Sequence, residues 1–169
     1  KNYTMKTNDN TRKYLDEGRY RDKRTDVNIK DTLEGVRYKE AGAITKASTN
    51  TIDGLLHHIS LYNDIGKERL WGNYPPINQL NGLDMERIKN EGDWAKLKDK
   101  CLQSVRDLAS EVKKFPEEKL FDLTANGHGT YYKMLHGVIE HAHYHLGQMV
   151  LLKNLISQKN LQHIRSSSL

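Results

Sequence analysis

Apolar positions recur at helical spacing in several stretches of this chain, and the clearest lies over residues 51–70. There Ile52, Leu55, Leu56, Ile59, Tyr62 and Ile65 repeat three or four residues apart. Ser48, Thr49, Asn50 and Thr51 offer N-caps in front, and Gly72 marks the stop. A second helix is predicted over 93–115, burying Trp94, Leu97, Cys101, Leu102, Val105, Leu108 and Val112. It is halted by Pro116, which cannot continue the hydrogen-bond ladder. A third is predicted from Thr130, after the turn residues Asn126 to Gly129, to about Ser157. Its stripe is Tyr131, Met134, Leu135, Val138, Ala142, Leu146, Met149 and Ile156. Residues 4–20 read as a polar helix with a thin stripe of Met5, Tyr14 and Leu15. Residues 28–47 read as two short helical pieces broken near Gly35–Val36, with Ile29, Leu33, Tyr38, Ala41 and Ile44 facing inward. Pro75–Pro76 and several Asn and Gly make residues 73–92 a long crossing loop. Four substantial helices with one stripe each define an all-α chain, and a four-helix bundle is its economical architecture.

Composition agrees with one domain spanning residues 1–169, with 1–4 set apart from the fold and 159–169 expected as a flexible tail. The chain is long enough for a single core and too short for two. Only 3 Pro and 12 Gly leave too few turn residues for an all-β fold. No apolar run is long enough for a membrane span, and the first twenty residues lack the apolar centre of a signal peptide. The single Cys101 can form no internal disulfide, so a reducing cytoplasm is expected. A formal charge of +5 raises the question of nucleic acid. Arg12, Arg19, Arg21, Lys23 and Arg24 alternate with Asp16, Glu17, Asp22 and Asp26, however, and no aromatic residues interleave as a stacking platform. A solvated surface explains them better.

The eight histidines carry the chemistry worth sorting. At about 100° per residue, His58 lies on the flank of the buried side of its helix, while His57 points nearly the opposite way, into water. His141 and His145, four apart, stack one turn above the other along one edge of the last helix, and Gln148 shares that edge. His143 and His136 fall on the opposite edge, and Glu140 points to solvent. Two imidazoles at i, i+4 and a third from a facing helix form one face of a metal coordination sphere and leave positions for water or substrate. An inward histidine such as His58 is more often a hydrogen-bonded core residue than a ligand, and an HxxxH pair alone is only moderately specific. On faces alone, both readings stand. Tyr62, one turn past His58, either donates to a substrate or packs in the core with its hydroxyl satisfied. Gln148 either hydrogen-bonds a metal ligand or, the preferred reading, ties the last helix to a neighbour. His143 either supports a metal ligand or, the preferred reading, lies on a dimer surface, and Cys101 reads as a small core hydrophobe with no positive neighbour to activate it. No phosphate loop, CxxC pair or Ser–His–Asp signature is present.

The stretch Gly137-Val138-Ile139-Glu140-His141-Ala142-His143-Tyr144-His145-Leu146-Gly147-Gln148 resembles the final helix of the DinB/YfiT-like metalloprotein superfamily, whose motif has the form HxxxHxGQ. Asn50 to Ile59 is similar to that family's second helix and aligns His58, not His57, with its ligand. Pro75-Pro76-Ile77, Trp94 and Gly129-Thr130-Tyr131 are further matches, and the likeness covers residues 15–158. It is strongest to a group common in the Bacteroidetes with no assigned reaction. The resemblance implies an up-down-down-up four-helix bundle, a metal site of His58, His141 and His145, and often a homodimer. Members with known activities are metal-dependent, among them thiol transferases and a maleylpyruvate isomerase. The loop from Asn78 to Gly92 is longer than the family pattern and is expected to reshape the site entrance.

Two function classes follow. One is a metal-dependent transferase or hydrolase-like enzyme acting on a small molecule, with a low-molecular-weight thiol as co-substrate in the transferase case. The other is a non-catalytic metal-binding or stress-response bundle in which the ion is structural. Zinc is the default ion; nickel, iron and manganese are alternatives, and imidazole suits copper as well.

Overall fold

The computed structural model describes residues 28–83 and 85–166, with the backbone alone for 159–166. Among these residues the chain is helical without strands: α1 (Ile29–Leu33), α2 (Tyr38–Ala41), α3 (Ile52–Leu70), α4 (Glu91–Lys114), a 3-10 turn (Glu117–Lys119) and α5 (Tyr131–Ser166). The helix expected over residues 4–20 lies outside the described residues, so the architecture seen is three long helices and two short ones. The last helix runs nine residues beyond its expected end, to Ser166.

The boundaries follow from local chemistry. Thr51 Oγ1 accepts from the amide of Gly54 at 3.3 Å, Asn90 Oδ1 from Asp93 at 2.9 Å and Thr130 Oγ1 from Lys133 at 3.2 Å. Each satisfies an amide that its helix leaves without a partner. At the end of α3, Gly72 turns left-handed (φ 83°). The amides of Asn73 and Gly72 then return to the carbonyls of Glu68 and Arg69 at 3.1 and 3.2 Å, a Schellman closure. α4 ends one residue before Phe115–Pro116, as the proline requires.

Side-chain contacts set the helix directions. Asn63 Nδ2 donates to Ser104 Oγ at 2.9 Å, and further along both helices Trp71 Nε1 donates to Glu111 Oε2 at 2.9 Å. The numbers rise together, so α3 and α4 run parallel. On α5 they run the other way: His58 meets His141 and His145, whereas Gly66 lies against Val138. α5 is therefore antiparallel to α3. Two successive parallel helices force the chain back along the length of α3, about 28 Å at 1.5 Å per residue. That is the structural reason for the long connection over residues 71–90.

Leu55, Leu56, Cys101, Leu108, Leu135, Leu146 and Met149 are sealed between the three helices. Trp94 is 1% exposed, and its indole Nε1 donates to the Val36 carbonyl at 2.8 Å, tying the start of α4 to the turn after α1. Lys153 Nζ donates to the Glu34 carbonyl at 2.6 Å, placing positive charge at the end of α1. Some expected faces need correction. Ile44 is 70% exposed, because α2 ends at Ala41 and the chain turns outward through the Thr45–Ser48 bridge. On α5, Ile139 and Leu152 are buried, whereas Tyr131, Met134 and Val138 are only partly so. Among the described residues no helix is long and apolar enough to cross a membrane.

Candidate metal centre

His58 from α3 and His141 and His145 from α5 meet in one cluster, and their ligand nitrogens all lie within 4.8 Å of one another. His58 Nε2 is 2.9 Å from His141 Nε2, which in turn is 3.0 Å from His145 Nε2. His58 and His145 are buried; His141 is half-buried. The three rings therefore sit close enough to share one metal ion.

The outer nitrogens explain which atoms face inward. His58 Nδ1 lies 2.6 Å from the Asn81 carbonyl, which can only accept, so Nδ1 carries the hydrogen and Nε2 keeps its lone pair. His145 Nδ1 donates to Gln148 Oε1 at 2.6 Å, with the Gln148 amide turned so that its Nε2 donates to the Tyr144 hydroxyl at 3.1 Å. His145 Nε2 thereby also points a lone pair at His141. With all three rings neutral, one hydrogen on His141 Nε2 can serve only one neighbour, and the second close nitrogen pair has nothing between its lone pairs. A divalent cation satisfies all three. Two nitrogens bound to one zinc ion at about 2.0–2.1 Å stand no more than about 4.2 Å apart; the two pairs through His141, at 2.9 and 3.0 Å, respect that limit, and the His58–His145 pair lies within 4.8 Å. The donor set fits a metal, and an oriented outer hydrogen bond on two of its rings is the usual arrangement of ligating histidines.

The long loop is part of this centre. Leu80 to Leu83 form a tight turn closed by a 2.8 Å bond from the Leu83 amide to the Leu80 carbonyl. Asn81 (φ 51°) and Gly82 (φ 72°) both occupy the left-handed region, as a type I′ turn demands. This turn presents two successive carbonyls to α3: Asn81 to His58, and Gly82 to His57 Nδ1 at 2.7 Å. His57 is thus not directed into water; the loop folds back over its face, which a helical wheel cannot register. Adjacent Asn81–Gly82 is the strongest short signature of such a turn, and it was the signal available for this part of the site. A Cβ on Gly82 would stand 2.5 Å from Leu61 Cδ2. Gly82→Ala is accordingly expected to cost about 1–2 kcal/mol of stability and, by shifting the acceptor of His58, to weaken zinc binding about tenfold. Competition with a chromophoric chelator measures this, and unchanged affinity would detach the loop from the site.

Other singled-out residues fall as follows. Gln148 acts within α5, on His145 and Tyr144, instead of tying the helix to a neighbour. The Tyr62 ring packs against the rings of His58 and His141, centroids 4.7 and 4.4 Å away. Its hydroxyl makes no hydrogen bond to a described residue, so the satisfied core tyrosine is not what is found. His143 is outside the cluster: it is half-buried, and Nδ1 donates back to the Ile139 carbonyl at 3.0 Å. The His136 ring packs tilted against Tyr132, and Glu140 is exposed.

Burial holds the His145 pKa below its ordinary 6.5; the nearby His58 adds to the lowering, and the Gln148 bond opposes it. Neutrality is the state that ligation needs. The linkage has a definite sign. Just below pH 6.5 the unfolded chain takes up a proton at this position that the folded chain refuses, so stability falls as pH drops through that range. Metal-free chain is expected to show a lower melting temperature at pH 5.5 than at pH 7, with a shallower dependence in His145→Gln. Equal slopes in both would remove His145 as a cause.

Compared with known proteins, the chain matches no protein-family model, no curated protein and no solved structure.

Proposed function

We propose that this chain is a metal-dependent enzyme of the DinB/YfiT-like kind. It holds one divalent ion, zinc by default, on His58, His141 and His145 and acts on a small molecule with a low-molecular-weight thiol as co-substrate. The observation that carries the reading is three converging imidazole nitrogens joined by no fourth His, Cys, Asp or Glu among the described residues. A site with three protein ligands keeps room for an exchangeable partner, as catalytic centres do and closed structural ones do not. The parallel α3 and α4 and the antiparallel α5 support an up-down-down-up bundle. The homodimer implied by the same resemblance belongs to this proposal.

A divalent ion at such a site supplies Lewis acidity, lowering the pKa of a water or thiol toward neutrality. The chain's own residues do the rest. Asn81 and Gln148 hold two of the imidazoles in the tautomer that ligates, the buried His58 and His145 keep bulk water from the back of the site, and Tyr62 offers a hydroxyl beside the rings. The burial of His58 and His145 also supports a second reading, an ion that staples α3 to α5.

Cobalt(II) loaded in place of zinc distinguishes them. With an open position, adding a small thiol produces a sulfur-to-cobalt charge-transfer band, and the band is absent in His141→Ala. A spectrum indifferent to thiol would contradict the thiol-dependent enzyme and favour the staple.

A further inference from the structure

A second polar pocket lies at the other end of α3 and α5. Arg69 follows His58 by three helical turns, about 16 Å along the axis. It lines a pocket of about 200 Å³ with Tyr74, Asn126, His128, Thr130 and Lys133, among other residues, none of which is an Asp or Glu. The Arg69 guanidinium stands 5.6 Å over the Tyr74 ring, which fixes its direction without neutralising it. Arg69 Nε and the Tyr74 hydroxyl are both shut off from solvent and have no hydrogen-bond partner. Buried polar groups are nearly always satisfied, and an unpaired one calls for an explanation. Neither Arg69 nor Lys133 forms an ion pair with a described residue. The start of the long helix α5 at the pocket's lip adds the positive end of its dipole. Its first amides are already engaged: Tyr131 and Tyr132 donate to the Asp122 and Leu120 carbonyls and Lys133 to Thr130 Oγ1, so the side chains provide the contacts.

We propose that this pocket binds a phosphate group, free or carried by a small molecule. A guanidinium fork, an ammonium, an imidazole and the hydroxyl residues Tyr74, Thr124 and Thr130 around an acid-free cavity match a compact, doubly charged tetrahedral oxyanion. The volume admits one such group and leaves room for a small molecule that carries it.

The test is titration calorimetry and thermal melting of the metal-free chain, residues 1–169, with sodium phosphate, against sodium chloride at equal ionic strength. Phosphate binds and raises the melting temperature; chloride does neither. Glycerol phosphate binding more tightly than inorganic phosphate identifies a carried group, and weaker binding identifies the free ion. Arg69→Met keeps the stem over Tyr74 and lowers phosphate affinity at least about tenfold, one charge-assisted contact being worth that much. Lys133→Met, on an exposed position, gives the same direction should Arg69→Met fold poorly. His141→Ala binds phosphate as the parent does. Parent-like affinity in both pocket variants, an equal response to chloride, or loss of binding in His141→Ala overturns the proposal, the last by moving the anion to the histidine cluster.

Discussion

A His141→Ala variant is expected to bind zinc at least about a hundredfold more weakly than the parent chain. His141 Nε2 is the central nitrogen of the cluster, within 2.9 Å of one neighbour and 3.0 Å of the other. Loss of an outer hydrogen-bond partner of a ligand already costs about 10–100-fold in metal affinity, and loss of a ligand costs more. The half-buried position makes it the best choice for separating binding from folding, since truncation there opens no sealed cavity. Circular dichroism of the variant should match the parent. His57→Ala and His143→Ala should bind zinc nearly as the parent does, because neither ring belongs to the cluster. If His141→Ala retained parent affinity while His143→Ala lost it, the ligating edge of α5 would have to be reassigned.

The largest expected loss of stability comes from Trp94→Ala, about 3–5 kcal/mol. The indole is among the largest fully buried side chains, and its Nε1 satisfies the Val36 carbonyl. Truncation leaves both a cavity and an unpaired acceptor at the junction of α4 with the turn after α1. Chemical denaturation reads the change, and a cost under about 1 kcal/mol would show that this junction is not packed as described. Metal binding supplies a second readout. A ligand that binds only the folded state stabilises it by about 2.7 kcal/mol at one hundred times its dissociation constant. Zinc should therefore recover part of the loss in Trp94→Ala and none of it in Trp94→Ala/His141→Ala.

What the sequence shows and what it hides are separated by the range of the interaction. The three long helices were legible because Leu55 and Leu56, Leu97 and Cys101, and Leu146 and Met149 recur on single faces, and because Thr51, Thr130 and Pro116 cap or stop them. That His58 flanks the buried side and that His141 and His145 share one edge was legible as a matter of angle around two helix axes. Angle alone left core histidines and a metal site both open, and the family resemblance joined the three. One misreading came where a segment distant in sequence covers a face, and the others from contacts within a helix and from a helix end. His57 read as solvated because no wheel contains the turn at Asn81–Gly82 that accepts its hydrogen. Gln148 read as an interhelical tie because its true partners, His145 and Tyr144, are one turn away on its own helix. Ile44 read as buried because a short helix was extended past Ala41, where the chain leaves the core. The pocket around Arg69 had no signature at all: it gathers residues from α3, the loop after it, the 124–130 turn and α5.

X-ray absorption at the metal edge of the chain purified without a histidine tag tests the central claim most directly. Three imidazole nitrogens at about 2.0–2.1 Å from a single zinc ion, falling to two in His58→Ala, His141→Ala or His145→Ala, are predicted. A sphere with a sulfur ligand, or one unchanged in all three variants, would contradict it.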